Sequence, residues 1–174
     1  HTIIKAGLVY DTRDNEPNPQ TGMWTEALLL YAPNFLGNSN YSFAKAVLTH
    51  RQYFTIVEDL LSFAGRLDYQ PKLSGEIPFY MLPMINSSLR VEDGLGGSKT
   101  LRGVYRNRVV GDDMLYSNFE LRAKTLKSVI LKQNFYLGLS GFVDAGMVSG
   151  DYKYTDLGGL VDNGEKESLH GTYG

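Results

Sequence analysis

The stretch that decides the fold is a Gly-rich, Arg-bearing segment, GLGGSKTLRGVYR at residues 94–106. An alternating strand, LYSNFELR at residues 115–122, follows it closely. Glycines permit the tight backbone of a hairpin tip, and the strand alternates apolar with polar side chains, as a sheet with two different faces requires. The hypothesis to be tested against the rest of the chain is an antiparallel β-barrel in a membrane, with the loop turned inward and Arg102 folded into the lumen.

The strand divides into two faces. Its apolar face carries Leu115, Phe119 and Leu121. Its polar face carries Tyr116, Asn118, Glu120 and Arg122. In a membrane barrel the apolar face points to lipid and the polar face to the lumen. A soluble β-sandwich or a lipocalin-like barrel also alternates but turns its apolar face inward, so the alternation alone leaves these architectures open.

The composition narrows the function classes. A length of 174 residues suits one domain that buries a core. A net charge of −2 gives no footprint for nucleic acid, and the lack of cysteine excludes a disulfide framework and a thiolate metal site. No apolar run reaches the roughly 18 residues of a spanning helix, whereas the 12 Tyr and 8 Phe can supply the aromatic girdles of a barrel.

Six extended segments are predicted along the chain, at residues 2–12, 23–32, 41–57, 61–70, 114–124 and 133–148. Segments of about ten or more residues exceed the usual soluble strand of about 5–6. They match the roughly 9–11 residues that cross a bilayer as a tilted strand. Residues 124–131 fit either a short helix or a continuation of strand. Residues 149–169 indicate a polar loop, and residues 170–174 the start of a further strand.

The longest irregular region covers about residues 71–112. Loops of this length are uncommon in compact domains and are usually functional or disordered, but segment 77–85 is apolar and needs something to pack against. An Arg carried into a lumen should pair with a carboxylate, because its planar fork matches one bidentately. Glu120 and Asp144 both occupy polar-face positions, so both are candidate partners of Arg102.

Several motifs recur in a consistent order and spacing over about residues 7–147. They are LVYDTRDN (8–15), IPFY (77–80), LGG (95–97), LRG (101–103), NFELR (118–122) and GFVDAG (141–146). On these motifs the chain resembles the barrel of the outer-membrane assembly and secretion superfamily. That superfamily includes BamA-type insertases, their translocation relatives, two-partner secretion transporters and patatin-fused barrels.

The resemblance implies a partial all-β, antiparallel transmembrane barrel with a long lumen-inserted loop. Residues 1–174 would be a portion of a single outer-membrane domain, holding about six or seven of sixteen strands. POTRA or passenger domains would precede the chain, and the final strands would follow it.

The resemblance also implies a loop-lock motif. The family's loop tip reads [V/L]-R-G-[F/Y], so the first three positions match here, whereas Val104 takes the place of the aromatic residue. The candidate lock residues are Leu101, Arg102, Gly103 and Tyr105. Glu120 and Asp144 are the proposed acidic partners, and Gly96 and Gly97 are the loop glycines.

The function implied is insertion or translocation of proteins at the outer membrane of a Gram-negative-type bacterium, as an integral protein. The implied partners are outer-membrane lipid, unfolded or nascent outer-membrane proteins, possible periplasmic POTRA domains and accessory lipoproteins, with no enzymatic activity and no cofactor. The alternative is a barrel that anchors or exports a fused passenger enzyme, patatin-like or a phosphoesterase. A soluble β-sandwich binding module is a third possibility.

Other candidate sites fail on their spacing. GLGGSKT at 94–100 is not a phosphate loop, because Ser98 stands where Gly must precede the lysine. GLSGF at 138–142 misses the nucleophile elbow, because Phe142 holds its last Gly position. The three histidines have no ligand spacing, and the acids of residues 11–16 lack the pattern of a calcium loop. The sequence therefore predicts no metal site.

Overall fold

The computed structural model describes residues 2–38, 41–149 and 168–174. Its strands are, in chain order, β1 (Ile4–Asp11), β2 (Gly22–Ala32), β3 (Phe43–Val57), β4 (Leu61–Gln70), β5 (Lys72–Gly75), β6 (Met84–Ile85), β7 (Glu92–Asp93), β8 (Asp113–Ile130), β9 (Gln133–Ser149) and β10 (His170–Tyr173). Two 3₁₀ turns are also present, Asn34–Leu36 and Phe79–Met81. None of the helical segments in the described ranges has the length and hydrophobicity needed to cross a bilayer.

One open antiparallel sheet contains most of the strands, in the order β1-β2-β3-β4-β8-β9-β10. The short strand β5 pairs with β3 just beyond the end of β4, where Pro71 interrupts the pairing. The sheet therefore has seven strand positions, because β4 and β5 follow one another along the same side of β3. The predicted all-β, partial-barrel fold with about six or seven strands is confirmed, and β10 is the predicted further strand.

Strand β8 resolves the ambiguity at residues 124–131, because it continues to Ile130. Its register against β9 shifts between Thr125 and Ser128, as a β-bulge does. Leu131 and Lys132 then turn the chain with φ of 52° and 65°, the two positive values of a type I′ hairpin turn. The bulge breaks the alternation, which explains why the sequence pattern there also fitted a helix.

The outer face of the sheet is apolar. Leu115, Phe119 and Leu121 are 37%, 46% and 47% exposed, whereas Tyr116 on the opposite face of β8 is 1% exposed. A soluble sandwich or lipocalin-like barrel would bury the first three side chains, so those alternatives are wrong for this chain. The apolar side chains instead form an outward surface of the kind that contacts lipid.

Aromatic side chains mark two levels of this outer face. Phe54, Phe63 and Phe119 stack in a row across β3, β4 and β8, with ring centroids 4.7 and 6.2 Å apart. Tyr69 lies on the same face of β4 as Phe63, and six residues of strand span about 20 Å. Aromatic side chains on the outer face are typical of membrane barrels, in which they flank the apolar band.

The inner face is covered by the long loop between β4 and β8, which carries β5, β6 and β7 and so is not wholly irregular. Ile85, Leu95 and Val109 of the loop pack with side chains of the sheet, namely Met114, Tyr116 and Val148. The apolar segment 77–85 is only partly buried, because Phe79 is 75% exposed. Most of the predicted loop at 149–169 lies outside the described residues.

The polar turn between β1 and β2 is closed by one carboxylate. Asp14 Oδ1 accepts the backbone N–H groups of Gln20 at 2.9 Å and Thr21 at 3.1 Å. The hydrogen bond from Thr21, followed by that from Gln20, lowers the pKa of Asp14. Because the charged form is the one that accepts these bonds, the turn is stabilised most when Asp14 is ionised.

We expect Asp14→Ala to lower the urea midpoint of the full-length protein at neutral pH. A folded pKa below the ordinary value means that this contribution is present above the unfolded pKa of about 3.9 and is lost as the pH falls through the folded pKa. The difference from wild type should therefore shrink in acid. Glu16→Ala, in the same turn, is the matched control, and a pH-independent effect of Asp14→Ala would contradict this role.

The outward apolar face predicts that an arginine costs more stability in the middle of a strand than near the membrane interface. Leu67 lies on the outer face in the middle of β4, and Leu67→Arg should destabilise folding into lipid vesicles by about 2–4 kcal/mol. Leu126, which is 78% exposed beyond the last residue of β8 paired with β4, is the control, because Arg near a membrane interface costs about 0–1 kcal/mol. Urea titrations of full-length protein in vesicles measure both, and equal effects would argue against a lipid-facing surface.

Candidate functional site

The candidate site lies where the loop tip meets the inner face of β8 and β9. Asn118 pairs with Asp144, and Glu120 pairs with Phe142, in the antiparallel register of these strands. All four residues therefore occupy the inner face, because alternate residues of a strand share one side. The two strands present two carboxylates and one ring toward the loop.

Arg102 bridges the two carboxylates. Its Nε and Nη2 donate to Oδ2 and Oδ1 of Asp144, each at 2.7 Å, and its backbone N–H donates to Asp144 Oδ2 at 3.0 Å. Its Nη1 donates to Glu120 Oε2 at 2.7 Å. The hydrogen bond with Asp144 is the main cause that raises the pKa of Arg102. The bidentate geometry is the strongest that a guanidinium and a carboxylate form.

Burial makes the two acids unequal. The side chain of Asp144 is fully buried, whereas those of Glu120 and Arg102 keep 20% and 23% of their surface exposed. Glu120 also accepts from Arg122 Nε at 2.9 Å. Asp144 is therefore held by Arg102 through three bonds, while Glu120 balances two guanidiniums.

The ring beside Arg102 belongs to Phe142, not to the loop. The guanidinium carbon lies 3.6 Å from the centroid of Phe142, a cation–π contact. Tyr105, which the sequence had placed in the lock, is 87% exposed. The sequence left open which ring packs beside Arg102. The structure brings Phe142 there, because the register of β9 places it on the inner face, whereas Tyr105 is exposed.

The other motif residues shape the loop tip. Leu101 is fully buried, and its Cδ1 lies 3.5 Å from where a Cβ would stand on Gly146. Gly96 has φ of 110°, and a Cβ there would lie 2.1 Å from the carbonyl oxygen of Tyr105. Gly97 and Gly103 also have positive φ, a conformation that glycine adopts without strain.

Thr100 holds the tip from within the loop. Its Oγ1 accepts the backbone N–H of Gly96 at 3.0 Å and lies within hydrogen-bond distance of the Gly94 and Gly96 carbonyls. Its own carbonyl accepts from Asn118 Nδ2 at 2.5 Å. These bonds satisfy buried polar groups and orient the segment that carries Arg102.

A second attachment of the loop escaped the sequence analysis. Residues 86–88, which we call the loop clip, bind side chains of three strands: Lys5 Nζ donates to the Ser87 carbonyl at 2.9 Å, and the Ser88 N–H donates to Glu26 Oε2 at 2.9 Å. Gln70 exchanges two hydrogen bonds with the backbone of Asn86. The available signal was Glu26, a lone acid beside the apolar run ALLL at residues 27–30.

The described side chains offer no metal centre. Within residues 2–38, 41–149 and 168–174, no group of three or more His, Asp or Glu side chains could hold a metal ion. The acids of the lumen instead contact guanidinium, hydroxyl, amide and backbone groups.

A comparison with models of protein families finds a match over most of the chain. The model of the Omp85 superfamily domain matches residues 1–169. The chain belongs to the Omp85 superfamily. A comparison with curated proteins found no match. The resemblance drawn from the sequence motifs is thereby confirmed, and Omp85 membership makes this a chain of the outer-membrane protein insertion and secretion family in general.

The Omp85 chain should lose stability when its lumen ion pair is broken. Arg102→Ala leaves Asp144 buried without its partner, and losing one member of a buried pair costs on the order of 3–5 kcal/mol, so we expect the lower end because Arg102 is partly exposed. The measurement is heat-modifiable gel mobility of the full-length protein over a urea series. Arg108→Ala, at an exposed loop position, is the control, and wild-type behaviour of Arg102→Ala would contradict the lock.

Proposed function

We propose that this chain is part of the barrel of an outer-membrane protein that inserts or translocates other proteins, and that it is not itself an enzyme. Residues 1–174 form a portion of one barrel domain, with the loop of residues 71–112 bracing the lumen. Its substrates are unfolded or nascent outer-membrane proteins, and POTRA domains and accessory lipoproteins act with it. The protein is integral to the outer membrane of a Gram-negative-type bacterium.

The observation that carries the proposal is the bridge from Arg102 to Asp144 and Glu120. A loop fixed inside the lumen stiffens one wall of the barrel, because its tip ties β8 to β9 while its clip ties β1, β2 and β4. In the proposed mechanism, the barrel opens at the seam between its first and last strands. An unpaired strand edge there offers a template for an incoming strand.

The second candidate is a barrel that anchors or exports a fused passenger enzyme, patatin-like or a phosphoesterase. Family membership accommodates both functions, since it supports outer-membrane insertion and secretion only in general. The two differ in what the barrel does for other proteins. An insertase speeds folding of separate substrates, whereas a passenger barrel does not.

The test is catalysis of folding in vitro. Full-length protein is reconstituted in vesicles, and a urea-unfolded β-barrel substrate is added and followed by its heat-modifiable mobility. We expect faster folding than in empty vesicles, with Arg102→Ala reducing the acceleration and Arg108→Ala retaining it.

The contrary outcome is equally clear. Substrate folding at the rate of empty vesicles, together with ester or phosphoester hydrolysis by the intact protein, would replace the proposed function by the passenger-barrel function.

A further inference from the structure

The hairpin that joins β8 to β9 projects beyond the neighbouring strand. The pairing of β8 with β4 ends at Ala123, and the N–H of Lys124 donates to the Leu60 carbonyl at 2.8 Å. Strand β8 nevertheless continues to Ile130, paired with β9. The part beyond β4, residues 124–138, is called the projecting hairpin, and a strand of this length extends about 20 Å.

The projecting hairpin is the basic part of its rim. The turns at residues 12–21, 58–60 and 131–132 share this rim, because successive connections of the antiparallel sheet alternate between its two ends. The first two turns each have a net negative charge. The sequence between Glu120 and Asp144, by contrast, contains no acid and four basic residues, which are Arg122, Lys124, Lys127 and Lys132.

Two of these cations stand at the end of the hairpin. Lys127 Nζ lies 3.8 Å from Asp59 Oδ1, in a pair whose side chains are 50% and 89% exposed, and an exposed ion pair of this kind contributes little. Lys132 occupies the turn itself and is also exposed. The ammonium groups of Lys127 and Lys132 can therefore meet an anionic partner without breaking a buried contact.

The projecting hairpin also exposes apolar side chains. Phe135 and Leu137 lie on the outer face of β9, the face that carries Val143, because alternate residues of a strand share one side. At the tip, Leu131 is 92% exposed and Val129 is 70% exposed. An exposed apolar surface of this extent marks a site of interaction with another protein or a membrane.

A bulge gives the hairpin a place to bend. The register of β8 against β9 shifts between Thr125 and Ser128, and Leu126 within that interval has φ of 46°. A bulged strand bends and twists more strongly than a regular one. The bulge lies close to the last pairing with β4, so the segment beyond it can incline toward the membrane.

We propose that the projecting hairpin binds the anionic phospholipid headgroups of the leaflet at its rim. Its apolar side chains enter the headgroup boundary, and Lys127 and Lys132 contact the lipid phosphates. Lipid is the favoured occupant because the apolar outer face of the sheet continues onto the hairpin, and because the charge of the hairpin is opposite to that of the headgroups. Basic elements with an apolar face bind membrane surfaces in this way. The proposal does not rest on the insertion function.

The test places an environment-sensitive dye on Leu131→Cys, introduced as the single cysteine of the full-length protein. The labelled protein is reconstituted into nanodiscs of phosphatidylcholine alone or mixed with phosphatidylglycerol. We expect blue-shifted emission with phosphatidylglycerol that weakens at high salt, since salt screens charge interactions near a surface. The same dye on Asn15→Cys, in an acidic turn of the same rim, should emit as in water in both lipids.

Charge variants of the labelled protein show whether the lysines act as proposed. Lys127→Gln/Lys132→Gln should lower the ratio of bound to free hairpin about tenfold, because each lysine near an anionic surface contributes about fivefold and Asp59 already shares one of them. Lys127→Arg/Lys132→Arg keeps the charge and should bind as wild type does. Lys99→Gln/Arg108→Gln removes the same charge from the long loop and is the matched control.

Three outcomes would overturn the proposal. The first is emission as in water in both lipids, and the second is an equal loss in the glutamine variant of the hairpin and in its control. The third is a blue shift that does not depend on lipid charge. A shift that arises only after a urea-unfolded β-barrel substrate is added, in either lipid, would replace the lipid by a protein strand paired with the edge of β8 beyond Ala123.

Discussion

An arginine held against a fully buried carboxylate is the constraint on which the remaining arrangement depends. Asp144 has no exposed side-chain surface, and a buried charge without a partner is expensive. Arg102 meets that requirement only if the loop enters the lumen, so the charge on β9 dictates where the loop goes. Leu101 then packs beside Gly146, with its Cδ1 3.5 Å from where a Cβ would stand, an ordinary van der Waals distance.

The loop acts as a strut because it touches the sheet at separate places. Its two ends meet where Lys72 contacts Asp112 and donates its backbone N–H to Asp113 at 2.6 Å. The clip at residues 86–88 contacts three strands at one side of the sheet, and the tip contacts β8 and β9 at the other. Each hydrogen bond contributes only about 1 kcal/mol, but bonds spread across the sheet fix its curvature in a way that bonds on one strand would not.

The alternation of apolar and polar residues showed which face of the sheet each strand side chain occupies. This was enough to predict the fold and to identify the two acids that face the loop. The outward Leu115 and the inward Glu120 and Asp144 all follow from parity in regular strands. Parity says nothing about a loop, whose backbone has no fixed period, so it could not tell that Phe142 rather than Tyr105 would meet Arg102. The clip was missed because Ser88 binds Glu26 through its backbone, so that only the strand side of this contact, Glu26, left a signal in the sequence.

The two acids at the loop tip have different physical roles. Glu120 is partly exposed and is shared between Arg102 and Arg122, in a wall where guanidiniums outnumber the acids among the described lining residues. Its contribution is charge balance, which water and salt partly supply as well. Asp144 makes three bonds to one residue in a place that solvent does not reach, and one of them comes from the backbone. Asp144 therefore determines where the loop tip lies and that it carries an arginine. The negative charge of Glu120 allows a second cation, Arg122, to lie beside Arg102.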